Sequence, residues 1–333
     1  MSSAPTPDEI WKDARWLAQA VDPRAGLVRL VEMTAGEYRN ASFLDDRMFE
    51  HPRLSHLLPW EEVSGSVPAD TRRDARWIFH IGHVGSTLVA RLLGELDSVL
   101  SVREPRAFRD LTFFPPDVRG RFVPTLQALF SRTFAPEQAS LVKATSFVSE
   151  IAAELVPAEG RALHLYATPR SYISGILAGE NSRKELAGMA SMRAQRLASR
   201  DLRLPPARSE ADLAAASWAC EMTALEQAEG TSSLWLDFDR ALSDLEGALT
   251  LMTKFFGFDA SKEHLSAIAN GPLTRRYSKA TEYEYSPQLR RELLTEANER
   301  HRADIESALA MLDAASETAP LLRKALDRAQ AES

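Results

Sequence analysis

Short apolar runs alternate along most of the chain with longer segments in which apolar residues recur every three or four positions. The first pattern is typical of buried strands and the second of amphipathic helices. Because strands that alternate with helices pair in parallel, the pattern predicts an α/β fold with a mostly parallel central sheet. The predicted strands are 77–81, 98–104, 140–145, 161–167 and 232–238, and the predicted helices are 85–95, 147–155, 170–178 and one that runs to residue 256.

The first 70 residues follow a different pattern. The apolar residues of 10–21 recur at near-helical spacing, which predicts a helix, and 25–33 reads as a strand. Residues 41–63 carry aromatic and acidic residues without a clean period. We therefore expect a small, mainly helical N-terminal subdomain over 1–70, packed on a main α/β domain over 71–333.

Two later segments depart from the strand–helix alternation. Residues 180–208, here called the basic segment, form either a solvated helix face or a basic lid over an anionic substrate. Residues 286–330 read as a C-terminal helical region that serves as an interface or as a cap on the core. The cations of the basic segment are Arg183, Lys184, Arg193, Arg196, Arg200 and Arg203, against the anions Glu185 and Asp201.

Composition narrows the class of protein. The chain has 333 residues, 44% of them hydrophobic and 26% charged, which is ordinary for a globular protein with a large core. A net charge of −7 argues against nucleic-acid binding through bulk charge. The single cysteine, Cys220, excludes an intramolecular disulfide and a cysteine-rich metal site. With no apolar stretch of the length a membrane span needs and no visible secretory signal, we expect a soluble, cytoplasmic protein.

The stretch "FHIGHVGSTLVARLL" (79–93) places a glycine-bearing turn between a predicted strand and a predicted helix. A helix N-terminus offers unpaired backbone N–H groups and a partial positive charge, and glycine lets the backbone approach an anion closely. Gly82 and Gly85 supply that freedom. In the register of the phosphate-binding G-x-x-x-x-G-K-[ST] loop, however, His80 takes the first glycine position and Ser86 the lysine position. Taken alone, the turn also fits a tight strand–helix connection without a ligand.

Longer stretches resemble the sulfotransferase superfamily. Residues 79–111, "FHIGHVGSTLVARLLGELDSVLSVREPRAFRDL", resemble the region that binds the 5′-phosphosulfate, above all in tyrosylprotein-type and bacterial members. "LVKATSF", "LHLYATPRSYISGIL" and "LWLDFDRALSDLEGALTLMTKFFGF" follow in the family's order. The resemblance spans about residues 76–285. It implies a three-layer P-loop NTPase-like fold and transfer of a sulfuryl group from 3′-phosphoadenosine 5′-phosphosulfate to a hydroxyl or amine, with no metal.

The resemblance also implies catalytic roles. Glu104 stands where tyrosylprotein-like members have a general base, and Lys143 where a lysine contacts the sulfuryl oxygens. His83 replaces a lysine or arginine of most members and would stabilise the leaving phosphate. Thr145 replaces the histidine base of cytosolic members, which strengthens the case for Glu104. From the residues themselves, Pro105 predicts an extended backbone at Glu104, and Lys143 would be costly to bury in its apolar strand without an anion.

The nucleotide site departs from the family pattern. Ala167 and Gly175 stand where members have the arginine and serine of the 3′-phosphate site, so Arg170 and Ser174 are predicted to substitute in a shifted register. Asp237 and Asp239 suggest a metal pair on one strand face, but we predict structural roles for both and expect no metal. The predicted nucleotide-binding residues are Gly82, His83, Val84, Gly85, Ser86 and Thr87 in the turn, Arg170 and Ser174, and Arg275, Arg276 and Lys279 on a C-terminal loop.

Three functions remain open from the sequence. The first is a sulfotransferase, the second an ATP- and Mg²⁺-dependent phosphotransferase that reuses the turn, and the third a non-catalytic P-loop-like interaction module. The missing loop lysine counts against the second, and the joint presence of Lys143, Glu104 and the glycine turn counts against the third. The predicted partner is a small-molecule or peptide acceptor, with neither nucleic acid nor a membrane.

Overall fold

The computed structural model describes residues 3–230, 232–275 and 286–331. Its N-terminal part is a three-stranded antiparallel sheet in the order β1–β2–β3. The strands are β1 (Trp16–Asp22), β2 (Leu27–Glu32) and β3 (Ser55–Pro59), and short helices accompany them at α1 (Pro7–Lys12), α2 (Ala35–Asn40) and α3 (Trp60–Gly65), with a 3-10 helix at Asp46–Glu50.

The helix predicted over 10–21 is therefore wrong in its second half, and the first 70 residues are not mainly helical. Residues 16–21 form a strand in which every side chain is buried, and which contacts both α5 (Arg106–Leu111) and α6 (Pro116–Ser131). A strand covered on both faces reads as a continuous apolar run, and periodicity alone does not separate such a run from a buried helix. The strand predicted over 25–33 is confirmed as β2.

The main sheet contains five parallel strands in the order β5–β6–β4–β7–β8. This confirms the predicted α/β fold with a parallel central sheet, and each predicted strand is present. Since all five strands run in one direction, their carboxyl ends meet at one edge of the sheet, where ligands bind in folds of this kind. The strands are β4 (Arg76–His80), β5 (Val99–Arg103), β6 (Ala139–Lys143), β7 (Ala162–Tyr166) and β8 (Ser233–Asp237).

Helices connect the strands and extend the chain beyond them. The helix predicted over 147–155 begins as a 3-10 helix at Ser146–Ile151 before α7 (Ala152–Leu155). The helix predicted after β8 is divided at Asp244, whose side chain caps the second half. The remaining helices are α4 (Ser86–Leu93), α8 (Pro169–Leu177), α9 (Glu180–Ala198), α10 (Glu210–Gln227), α11 (Phe238–Ser243), α12 (Leu245–Phe256), α13 (Lys262–Ala269), α14 (Pro287–Arg300), α15 (Arg302–Ser316) and α16 (Pro320–Ala331), with a 3-10 helix at Pro272–Arg275.

The N-terminal sheet and the main sheet share one hydrophobic core. Trp60 of α3 stacks on Phe122 of α6 at 4.4 Å between ring centroids. Two buried arginines bind the N-terminal backbone: Arg132 donates to the carbonyls of Ile10 and Trp16, and Arg103 donates to those of Tyr38 and Ala41. Burial lowers the pKa of Arg103 to about 9 and that of Arg132 to about 10. None of the helices in the described ranges is long and apolar enough to cross a membrane.

Candidate functional site

The turn that follows β4 has the backbone of an anion-binding loop. Gly82, His83 and Gly85 have φ values of 84°, 54° and 60°, all in the left-handed region. Gly85 is the N-cap of α4, and no side chain among the described residues caps this helix, so its first N–H groups lack an intrahelical acceptor and a capping side chain there. Ser86 and Thr87 are buried in the first turn of α4. The N-terminus of α4 thus combines backbone donors with the positive end of the helix dipole.

His80, the last residue of β4, fixes the start of this turn. The Gly82 N–H donates to His80 Nδ1 at 3.0 Å, and His80 Nε2 lies 3.0 Å from the carbonyl oxygen of Ala144. Because Nδ1 accepts a hydrogen bond, Nε2 carries the ring hydrogen and donates to Ala144. One imidazole therefore joins the turn to the residue that follows β6.

Packing also requires a glycine at position 85, which the sequence did not reveal. A Cβ atom at this position would lie 1.8 Å from Cζ of Phe238, the first residue of α11. The Phe238 ring is buried and seated directly on the turn. Val84, another predicted nucleotide-binding residue, has its side chain in the core, so only its backbone is left to contact a ligand.

Lys143 and Glu104 meet beside the turn. Lys143 ends β6, Glu104 follows β5, and the Glu104 N–H donates to the Lys143 carbonyl at 2.7 Å. The Lys143 ammonium forms an ion pair with Glu104 Oε1 and lies 3.5 Å from Thr87 Oγ1. The two side chains are only 1% and 10% exposed. The turn, Lys143 and Glu104, which were predicted from separate parts of the sequence, thus lie side by side.

A second cation, which sequence reasoning missed, contacts the same carboxylate. Arg47 Nη2 lies 3.1 Å from Glu104 Oε2. Arg47 is held by both oxygens of Asp45 and stacks over the ring of Phe43 at 3.3 Å from its centroid. Burial alone would raise the pKa of Asp45, but the hydrogen bonds from Arg47 outweigh it and hold that pKa below its usual value. Arg47 lies in the N-terminal stretch without periodicity, so no sequence signal pointed to it.

The extended backbone predicted at Glu104 is wrong. Glu104 has φ 53°, a left-handed value that is rare outside glycine. Such a conformation costs on the order of 1–3 kcal/mol and persists where surrounding contacts fix it. Here the backbone bond to Lys143 and the two ion pairs fix it, and they turn the carboxylate back toward β6 in spite of Pro105.

His83 contacts α9. Its Nδ1 lies 3.3 Å from Ser182 Oγ and its Nε2 lies 3.9 Å from a Glu185 oxygen, and the side chain is 28% exposed. With Ser146, Tyr172 and Arg193, these residues line a small cleft between the turn and α9, here called the α9 cleft. The described contacts of His83 are thus with α9 and not with Glu104 or Lys143.

The basic segment is not simply a solvated helix face, because two of its arginines are fixed to the protein, and the basic lid over an anionic substrate stays a prediction. Arg196 lies over the ring of Phe147 at 3.7 Å and donates to its carbonyl, and Arg200 is paired with Glu150 at 3.2 Å. The side chains of Arg196 and Arg200 are 11% and 2% exposed. These two arginines fasten α9 to the 3-10 helix that follows β6.

The predicted 3′-phosphate residues have protein partners or are buried. Arg170 forms an ion pair with Glu306 at 2.9 Å and donates to Asn298. The Ser174 hydroxyl is buried, and no hydrogen-bond partner is found for it in the described part of the chain. Arg275 is exposed at the end of a 3-10 helix, while Arg276 and Lys279 lie outside the described residues. The nucleotide roles of all five stay predictions.

Asp237 and Asp239 have the structural contacts expected of them. Asp237 caps α11 by accepting from the Arg240 N–H at 3.0 Å. Asp239 accepts from Arg290 Nε at 2.8 Å and from the Ser171 hydroxyl. Their expected common strand face is wrong, because β8 ends at Asp237. Across residues 3–230, 232–275 and 286–331, no group of three or more His, Cys, Asp or Glu side chains is placed to hold a metal ion.

No protein-family model matches the chain, and neither does any curated protein. Several solved structures are similar to it, and the three described here are sulfotransferases. The sulfotransferase domain from the curacin biosynthetic pathway is 13% identical with a TM-score of 0.37, over 65% of this chain and 84% of that one. The sulfotransferase domain from the Synechococcus PCC 7002 olefin synthase is 15% identical with a TM-score of 0.36, over 67% and 84%. Mouse sulfotransferase SULT7A1, complexed with PAP, is 11% identical with a TM-score of 0.39, over 83% and 97%. Similarity at this level carries no functional argument.

Proposed function

We propose that this protein is a sulfotransferase-like enzyme that transfers a sulfuryl group from 3′-phosphoadenosine 5′-phosphosulfate to a hydroxyl or amine. One observation carries the proposal. A buried lysine–glutamate pair lies at the carboxyl ends of two neighbouring parallel strands, directly beside an uncapped helix N-terminus. Such a site offers donors for an anion and a base for an acceptor side by side.

The donor would bind through its 5′-phosphosulfate. The N–H groups of the turn and the N-terminus of α4 suit the phosphate, because they supply fixed donors and positive potential without side-chain rearrangement. The hydroxyl of Thr87 and the ammonium of Lys143 lie next to that helix end. Ser86 takes the place of the loop lysine that usually neutralises a triphosphate, so Lys143 is the ammonium beside the turn. The position of this ammonium suits a sulfuryl group better than a triphosphate.

In the proposed step, the acceptor oxygen or nitrogen attacks sulfur and the bond from sulfur to the bridging phosphate oxygen breaks. The acceptor proton passes to Glu104, and the electron pair of the broken bond remains on the phosphate as adenosine 3′,5′-bisphosphate leaves. The turn N–H groups and Lys143 stabilise the charge that develops on the leaving oxygen.

The ion pair between Lys143 and Glu104 sets the order of events. As long as Lys143 holds Oε1, that oxygen is not available as a base. An arriving sulfuryl group offers the ammonium a second anionic partner, and Lys143 then releases Glu104 toward the acceptor. Arg47 keeps the other oxygen in place. Binding of the donor and release of the Glu104 carboxylate by Lys143 therefore occur together.

The deciding experiment is a thermal-stability titration with adenosine 3′,5′-bisphosphate and, separately, with ATP in the presence and absence of Mg²⁺. A ligand present at 100 times its dissociation constant stabilises the folded state by about 2.7 kcal/mol, which is a measurable shift. We expect a shift with the bisphosphate that does not need Mg²⁺. A shift only with ATP and Mg²⁺ would instead identify a phosphotransferase, and no shift with either nucleotide would favour a non-catalytic module.

A further inference from the structure

Arg193 is the one arginine of the basic segment that is buried and has no hydrogen bond to any of the described residues. It is 9% exposed, and its Nε and Nη1 atoms are buried without a hydrogen-bond partner in the described ranges. Its neighbours Arg196 and Arg200 are held by Phe147, Glu150 and the Cys220 carbonyl. A buried guanidinium without hydrogen bonds is costly, so these nitrogen atoms of Arg193 call for an acceptor that the described residues do not supply.

The surroundings of Arg193 fit an anion. Arg193 lines the α9 cleft together with the backbone of Gly82 and the hydroxyl-bearing side chains of Ser146 and Ser182. The hydroxyls and the guanidinium are donors, whereas the Gly82 N–H is already bonded to His80 Nδ1. The planar guanidinium matches carboxylate, phosphate and sulfate groups.

Two carboxyl groups lie near this cation. Glu185 is at the rim, with a side chain that is 57% exposed and 3.9 Å from His83. Glu221 is buried on α10, and burial raises its pKa to about 7 although Arg193 and Arg196 lower it. At neutral pH Glu221 is therefore only partly ionised and neutralises Arg193 incompletely.

The α9 cleft shares part of the turn with the proposed donor site but does not include the proposed reacting groups. Its lining includes Gly82 and His83 from the turn and Ser146 from the segment after β6, but not Glu104, Lys143 or Thr87.

We infer that the α9 cleft binds an anionic group of the acceptor, a carboxylate, phosphate or sulfate, through the Arg193 guanidinium. The acceptor is then an anionic hydroxyl or amine compound, oriented by Arg193 while its nucleophilic atom faces Glu104. The statement about the acceptor rests on the function proposed above. The anion site itself depends only on the position of Arg193 in the α9 cleft.

The test uses inorganic sulfate as the probe on the full-length protein saturated with adenosine 3′,5′-bisphosphate, with chloride at matched ionic strength as the reference. We expect sulfate to stabilise the wild type further, and Arg193→Met to weaken this effect at least tenfold. Arg203→Met, which removes an exposed arginine of the same segment, should leave it unchanged. An undiminished sulfate effect in Arg193→Met would overturn the inference.

Two further arms separate the acceptor from the donor. Arg193→Met should keep its affinity for the bisphosphate within about twofold, because Arg193 lies on α9 and not in the turn or the first turn of α4, which are proposed to hold the phosphate. Lys143→Met should keep the sulfate effect, since sulfate in the position of the transferred group would depend on Lys143. A tenfold loss of bisphosphate affinity in Arg193→Met, or loss of the sulfate effect in Lys143→Met, would assign the anion to the donor and overturn the inference.

The stability of the Arg193→Met variant separates an effect on folding from an effect on anion binding. Arg193→Met removes a buried charge that Glu221 neutralises only in part, so the variant should unfold no earlier than the wild type. A marked loss of stability would mean that Glu221 is the main partner of Arg193. In that case the sulfate titration is made with Ser182→Ala, which removes a hydroxyl of the same cleft, in place of Arg193→Met. If the wild type does not bind the bisphosphate at all, the proposed function fails, and sulfate titration of the free protein still decides the anion site.

Discussion

At the scale of single residues, Glu104 combines three conditions that are costly apart: burial, a left-handed backbone and contact with two cations. Each condition is tolerable because the others are present. The carboxylate compensates Lys143 and Arg47, and their bonds hold the strained backbone. A residue held in this way has its carboxylate placed before the substrate arrives, as acid–base catalysis requires.

Replacing Glu104 by glutamine tests this role. Glutamine keeps the shape but cannot take the acceptor proton, so turnover should fall by about 10² to 10⁴ while bisphosphate affinity stays largely intact. The measurement is release of adenosine 3′,5′-bisphosphate with a panel of anionic acceptors, alongside binding of the bisphosphate. Glu299→Gln, which alters an exposed glutamate of α14, is the matched control. A fully active Glu104→Gln protein would rule out Glu104 as the base.

Glu221 should make stability depend on pH. Its pKa is raised by burial from 4.5 to about 7, so between these values the folded state keeps a proton that the unfolded chain has released. Raising the pH through this window therefore lowers the free energy of unfolding, by up to about 3 kcal/mol, and no further loss follows above it. Glu221→Gln lacks this contribution.

Urea unfolding of the wild type and Glu221→Gln at pH 5 and pH 8 measures the effect. The difference between the two free energies of unfolding should move by about 2–3 kcal/mol in favour of the variant at the higher pH. Glu299→Gln should show no such movement. A pH-independent difference for Glu221→Gln would mean that Glu221 titrates normally in the folded protein.

Positions at strand ends could be predicted from the sequence. Parallel pairing brings the carboxyl ends of β4, β5 and β6 to one edge, and the observed strand order makes the turn, Glu104 and Lys143 neighbours, while their roles stay predictions. Arg47 and Phe238 contact them from segments that no local pattern connects with the turn, and Arg193, a cation of the predicted basic lid, lies beside the turn in the α9 cleft. Their placement depends on tertiary packing, which periodicity does not encode.

At the scale of elements, the turn before α4 is fixed from two sides, by His80 below it and by the Phe238 ring against Gly85. Gly85→Ala should lower the free energy of unfolding by at least about 2 kcal/mol, because its methyl group would overlap the ring and its φ of 60° disfavours a side chain. Gly120→Ala is the control, since Gly120 lies exposed within α6 with nothing within 4 Å of an added Cβ.

Chemical denaturation compares the two glycine variants. Gly120→Ala should stabilise the protein by about 0.5–1 kcal/mol, as alanine does in an exposed helix interior. Similar effects of the two substitutions would mean that the Phe238 ring moves aside easily and that Gly85 is not required for packing.

The pattern of apolar residues gave a wrong element in one place, β1, because a strand buried on both faces has the apolar continuity of a buried helix.

At the scale of the whole molecule, the N-terminal sheet belongs to the same core as the main sheet and reaches the site through Arg47. Its attachment is both apolar and polar: Trp60 stacks on Phe122, and the buried guanidinium groups of Arg103 and Arg132 are satisfied by N-terminal carbonyls. Removal of the N-terminal sheet would therefore expose core surface and take most of the acceptors from two guanidinium groups, Arg132 keeping only the Leu129 carbonyl.

A chain that starts at residue 71 should consequently fail to unfold as a cooperative unit, because leaving buried charges unpaired and apolar surface exposed costs several kcal/mol, comparable to the total stability of a domain. Calorimetry and limited proteolysis of the truncated chain check this. Trp60→Leu in the full chain is the milder version and should lower the free energy of unfolding by about 1–3 kcal/mol, whereas Leu57→Ala, at a side chain that is 61% exposed, should change it little. A truncated chain that melts cooperatively and still binds the bisphosphate would show instead that the main sheet folds alone and that the N-terminal sheet is a separable addition to the site.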